Sequence, residues 1–228
     1  MIIVADRYHA TARAKRFAEY ARNLGADMYM ALPPEMGNCS CSPATFAKHY
    51  ADIADILPLM IVTNRFNGRG TAFGLETISR ALDLSKNIVA VKDDICGDFA
   101  QNLCVRFHDQ VAIIAGGQKR HHMNMLPYGC DGYLSTFVTY NSSISRAYWA
   151  AVKRNDLTVA RQIIMEKDMP FFDYIISLPG GFDAGMHGLL ELYGLAGRYR
   201  REPYYTLNDK EMSDLRDYLV GKELLAGR

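Results

Sequence analysis

Six short apolar runs recur along the chain, starting about every 20 to 30 residues, at positions 2–5, 28–32, 59–63, 88–92, 111–115 and 132–135. The first five are dominated by Val, Ile, Leu, Met and Ala without clean polar alternation, and the last is Gly-Tyr-Leu-Ser. Strands covered on both faces read this way, as in parallel sheets. Helical patterns fill the gaps. In "ATARAKRFAEYARNLGAD" the residues Ala14, Phe17, Ala18, Ala21 and Leu24 share one face, and Gly25 stops the helix. "SPATFAKHYADIADI" opens on Ser42 as a cap, with Pro43 at the first helical position. Strand–helix alternation of this kind predicts an α/β fold with parallel strands. An open doubly wound sheet and a β/α barrel both satisfy it. A G-x-G-x-x-G after the first strand is absent, and "AIIAGGQKR" offers only a Gly pair.

The pattern changes after Ser135. Helices are expected at 143–154, 157–167, 181–195 and 209–225, the last capped by Asn208 or Asp209, and no strand is expected. The division is therefore a barrel portion over residues 1–140 and a helical region over 141–228, packed as one unit. The 228 residues, 49% of them apolar, suffice for one sizeable core. The formal charge of +1 and the lack of long basic runs point away from nucleic acid and anionic membranes. No apolar stretch approaches the roughly 18 residues of a membrane helix, and "MIIVADRYH" is too short for a signal sequence. A cytoplasmic protein is expected. Five cysteines, an odd number, do not form a disulfide framework, and the Cys39–Cys41 pair has no second pair at zinc spacing. His121 and His122 read as an exposed polar helix start.

In β/α barrels the functional residues sit at the C-terminal ends of strands. The first run ends near Tyr8 and His9, the third at "VTNRF", the fourth at Lys92, the fifth at "AGGQ" and the sixth at Ser135. Lys92 is the one amine directly on a strand. In an apolar mouth, desolvation disfavours an ammonium and frees the amine to attack a carbonyl. The resulting imine draws electrons from the neighbouring carbon without a metal or cofactor.

"NIVAVKDDICGDF" resembles the Schiff-base lysine strand of the dihydrodipicolinate synthase/N-acetylneuraminate lyase family, N-[IV]-x-[GA]-[IV]-K-[DE]-x-[ST]-G-D. Asn87, Ile88, Ala90, Val91, Lys92 and Asp93 fit it in register, and Cys96, in place of the hydroxyl residue, Gly97 and Asp98 fit it one position later, after one extra residue. "AKRFAEYARNLGADMYMALPP" is similar to the third βα unit of that family, "LPLMIVTNRF" to its P-[IV]-x-[LV]-Y-N strand, and "VAIIAGGQKRHHMNMLPYGCDGYLST" to its seventh and eighth strands. "LLELYGLAGRYRREPYYTLNDKEMSDLRDYL" is similar to the end of its helical region.

The resemblance implies a (β/α) TIM barrel with a C-terminal helical region, N-terminally truncated, with about six βα units visible. It implies a lyase or aldolase in which Lys92 forms a Schiff base with a pyruvate-like 2-keto acid. Carbon–carbon bond formation or cleavage, or dehydration, follows, in a homo-oligomer with no cofactor and no metal. Arg65, Gly116 and the carbonyl of Leu134 would lie at the substrate. Asp93, Gly97 and Asp98 form the turn after the lysine.

Three departures accompany it. The chain opens at the third strand of that barrel, so the carboxylate-binding G-[TS]-[TS]-G-E motif is absent, and six strands cannot close an eight-stranded barrel. Thr63 stands in place of the proton-shuttling tyrosine, and a threonine hydroxyl relays or orients a proton but is a poor general base. "PPEM" replaces P-P-Y-Y, leaving Glu35, Tyr8, His9 and Tyr140 as substitutes for the lost tyrosines. A non-catalytic binding or assembly subunit is the alternative these departures allow. A metal-dependent hydrolase ranks last, since the strand ends carry no His-x-His.

Overall fold

The computed structural model describes residues 1–7, 10–34 and 41–225. Tyr8, His9, Glu35 and Cys39 therefore lie outside the described residues. Six parallel strands appear where the apolar runs predicted them: β1 (Ile3–Asp6), β2 (Met28–Ala31), β3 (Leu59–Val62), β4 (Ile88–Asp93), β5 (Ala112–Ala115) and β6 (Gly132–Tyr133). Their order in the sheet is β1-β2-β3-β4-β5-β6. No strand reverses the direction of winding. Parallel crossovers are right-handed, so a sequential order stacks every helix on one face. Of the two architectures the pattern allowed, this is the barrel wall and not the doubly wound sheet.

The helices between the strands are α1 (Thr11–Asn23), α2 (Pro43–Ala54), α3 (Thr71–Leu84), α4 (Gly97–Phe107) and α5 (Lys119–Met125). The Ser42 hydroxyl accepts the Thr45 amide at 3.2 Å and caps α2, with Pro43 in its first turn. One set of strand side chains, including Tyr29, Leu59, Ile61, Val91 and Ile113, packs with these helices in a single apolar cluster. Strand pairing puts the alternate set on the other face in two rows. Ala5, Met30, Met60, Ala90 and Ala112 form one, and Val62, Lys92, Ile114 and Gly132 the other. A register shift at Leu59/Met60 pairs Leu59 with Ile88 and Met60 with Ala90, which leaves Val89 as the extra residue.

Two compact units divide the chain. The first comprises Met1–Gly117 and His121–Leu134, and the second Gln118–Arg120 with the chain from Ser135 onward. The second unit is helical: α6 (Ser142–Lys153), α7 (Leu157–Ile163), α8 (Met169–Ser177), α9 (Gly181–Leu192) and α10 (Asp209–Gly221). Asn208 and Glu211 cap α10 reciprocally. Sequence patterning missed α8. A π-helical turn over Ile164–Asp168 carries the helical backbone unbroken past the expected stop into α8, and Pro170, which lacks an amide proton, follows directly after that turn. Among the described residues no helix is long and apolar enough to cross a membrane.

One expectation for α5 is corrected. His122 is fully buried, and its ring packs on Tyr133 with centroids 5.3 Å apart. Burial pulls the imidazole down to about 4. Lys119, three residues earlier, is also fully buried, as is Met125 three residues later to within 1%. These positions share one helix face. The face looks polar in sequence, but the Lys119 amine is met by Asp168 at 3.2 Å within the second unit.

Candidate active site

The C-terminal ends of β3, β4 and β5 bring Thr63, Lys92 and Gly116 together. Their backbones stay paired past the strands, Thr63 N–H donating to the Lys92 carbonyl at 3.1 Å and Gly116 N–H to the Asp93 carbonyl at 2.7 Å. Lys92 and Asp93 close β4 with opposite orientations, as successive strand residues must. Lys92 belongs to the row with Val62 and Ile114, and its side chain is 15% exposed. Asp93 points the other way and is fully buried.

Asp93 is the scaffold of the turn. Its carboxylate accepts the Thr63 hydroxyl at 2.7 Å, the Ile95 amide at 3.1 Å and the Cys96 amide at 2.8 Å. Burial holds its pKa above the ordinary carboxylate value, and these three donors offset only part of that. The turn it holds is unusual, since Cys96 has φ 70° and ψ −171°, a region that strains any residue with a Cβ. Gly97 follows at φ 59° and opens α4. At the start of the strand the Asn87 amide donates to the Ala54 carbonyl at 2.5 Å and ties β4 to the end of α2.

Sequence reasoning passed over Asp94. Two residues beyond Lys92 it returns to the lysine's side of the chain, and its two oxygens lie 2.6 and 2.5 Å from the Lys92 amine. The spacing K-D-D was the available signal. Gly116 makes room for this carboxylate: a Cβ there would lie 1.9 Å from Asp94 Oδ1. The lysine's apolar flanks, Val62 and Ile114, are thus completed by one anion.

Thr63 is fully buried, and its oxygen is used twice, donating to Asp93 and accepting the Asp94 amide at 3.0 Å. It fixes the backbone beneath the Lys92–Asp94 pair. Arg65 is exposed in the turn after β3. Arg69 is engaged elsewhere, donating to the Cys41 carbonyl at 2.7 Å and lying 4.1 Å over the Phe73 ring. Leu134 follows β6, its amide donating to the Ala115 carbonyl at 3.0 Å, and is 37% exposed. Tyr140 is packed inside the second unit against Phe137, Phe171 and Tyr193, with burial holding its phenol far above the usual range. Among the described residues no three His, Cys, Asp or Glu side chains are grouped to hold a metal ion.

Comparison with known proteins gives this arrangement its relatives. The N-acetylneuraminate lyase of Rhizobium meliloti (strain 1021) is 24% identical over 208 residues, covering 91% of this chain and 67% of that protein. The N-acetylneuraminate lyase of Fusobacterium nucleatum superposes with a TM-score of 0.80 at 19% identity, over 96% of this chain and 73% of that one. A dihydrodipicolinate synthase of Bacillus anthracis superposes with a TM-score of 0.79 at 21% identity, again over 96% and 73%. The profile of the dihydrodipicolinate synthetase family matches residues 8–221. That match takes in the ends of β2 to β6, and the chain belongs to the dihydrodipicolinate synthetase family, a family of Schiff-base, aldolase-type lyases.

Proposed function

We propose that the chain is a Schiff-base lyase in which Lys92 captures the keto group of a pyruvate-like 2-keto acid, for carbon–carbon bond formation or cleavage, or for dehydration. The observation that carries this reading is the placement of the Lys92 amine. It stands at the C-terminal end of the fourth of six sequential strands, between Val62 and Ile114. A positioned amine converts a carbonyl into an iminium that withdraws electrons from the adjacent carbon. Arg65 would meet the substrate carboxylate, and Gly116 and the Leu134 carbonyl would border the bound acid. Thr63 acts here as a positioning residue for the turn.

Borohydride added with pyruvate, or with longer 2-keto acids, is expected to trap an adduct on Lys92, read by peptide mass spectrometry. Folded protein that yields no adduct with any of a panel of 2-keto acids would sink the reading.

The same ion pair supports a second reading, a member that binds a keto acid without turning it over, because Asp94 holds the amine with both oxygens. Turnover by the isolated chain that Lys92→Ala abolishes would rule this out.

A further inference from the structure

We propose that Asp94 is the proton carrier of the Lys92 chemistry, a role for which β3 ends on Thr63 and not on a tyrosine. The proposal rests on the Schiff-base reading and adds the group that must move protons for it. Proton transfer needs a group within hydrogen-bond reach of the reacting atoms. Both Asp94 oxygens are within 2.6 Å of the lysine nitrogen. Among the described residues, two other candidates are already engaged. Thr63 already donates its only hydroxyl proton to Asp93. Tyr140 lies in the aromatic cluster of the second unit.

The site is built around Asp94 on three sides. Its backbone amide is held by Thr63, its carboxylate rests on Gly116 and its oxygens face Lys92. Its side chain is 25% exposed, enough to exchange protons with solvent. Such a carboxylate needs no reorganisation when the reaction begins.

The steps balance around this one group. Asp94 takes a proton from the Lys92 ammonium, and the freed nitrogen bonds to C2 of the keto acid. The carbonyl π pair moves to oxygen, which receives a proton through Asp94 to give the carbinolamine. Asp94 then passes a second nitrogen-derived proton to that hydroxyl, water leaves, and the iminium forms. The ammonium and ketone have become an iminium and one water, with Asp94 again a carboxylate. It next removes a proton from C3, two bonds from the nitrogen, and the iminium pair collapses onto nitrogen to give the enamine.

The full chain, its Asp94→Asn variant and its Asp94→Ala variant should be compared with pyruvate in deuterium oxide. Proton NMR follows exchange at C3, and borohydride trapping follows the Lys92 adduct. Wild type is expected to form the adduct and to exchange. In Asp94→Asn exchange should fall about 100-fold or more, the scale of a lost general base. Added formate should restore exchange to Asp94→Ala, which a merely structural role would not allow. Adduct formation with exchange in Asp94→Asn equal to or faster than wild type overturns the role of Asp94 and leaves the Lys92 reading standing. So does exchange that formate leaves unrestored in an Asp94→Ala protein with a wild-type unfolding midpoint. Absence of any wild-type adduct overturns the Lys92 reading itself, and this role with it.

Discussion

The Thr63 hydroxyl lies 2.7 Å from a carboxylate oxygen of Asp93, and both side chains are fully buried. The Thr63 hydroxyl oxygen also accepts the Asp94 amide, so one threonine supports the backbone on which Lys92 and its partner stand. Thr63→Val keeps the shape and removes both bonds. Leaving buried polar groups unmade costs about 1–3 kcal/mol. Urea unfolding should show that loss, and Thr63→Ser should recover most of it. Borohydride trapping on Lys92 should slow in Thr63→Val as the Asp94 backbone loosens.

Gly116→Ala should act on the pair from the other side. Its new methyl would lie 1.9 Å from Asp94 Oδ1 and 2.9 Å from the Asp93 carbonyl, so it has backbone behind it and carboxylate in front. Overpacking of this kind costs about 1–3 kcal/mol. Combined with Asp94→Ala, the cost should shrink. A double-mutant cycle by chemical denaturation should return a coupling on the order of 1 kcal/mol, and additive effects would refute the contact.

His122 predicts an acid sensitivity. Its folded value, about 4, is below the ordinary 6.5. Between the two the unfolded chain binds the proton and the folded chain does not, so stability is complete above about 6.5 and declines as pH falls toward about 4. The slope tends to about 1.4 kcal/mol per pH unit from this group. Unfolding curves at neutral and mildly acidic pH should show it, and His122→Phe should reduce the slope, leaving the share of His49, which burial also pulls down to about 4.

The buried pair in the second unit predicts a different pattern. Lys119 and Asp168 are fully inaccessible, and the Lys119 amine also lies 3.9 Å from the Phe137 ring centroid. Lys119→Met strands a carboxylate and should cost about 3–5 kcal/mol. Adding Asp168→Asn removes the charge and keeps an acceptor for the Lys119 and Arg120 amides, so the double variant should regain much of that loss in thermal melts.

Much of the first unit was legible because its signals are local. Strands covered on both faces must be continuously apolar, and Lys92 stood out as a cation ending such a run. The Ser42–Pro43 start and the Asn208 cap are likewise written within a few residues. What was hidden depends on distant partners. Lys119 can be buried only because Asp168, 49 residues on, arrives to meet it, and a polar string such as "QKRHH" cannot show that. β6 is shorter than its apolar run because the chain turns at Ser135, whose hydroxyl bonds Ser145 at 2.7 Å. α8 was concealed by Met169–Pro170, which reads as a break and lies in a helix continued through the π-helical turn before it. Asp94 was in plain view. Period-two geometry places it beside the lysine, but the matching motif leaves that position open.

The seat that Gly116 provides also fixes an order of mutational steps. While residue 94 carries a carboxylate against the bare Gly116 backbone, no side chain can be added at 116 without displacing it. Residue 94 must shrink before 116 can grow, and a lineage that fills 116 first loses the carboxylate's berth beside the lysine.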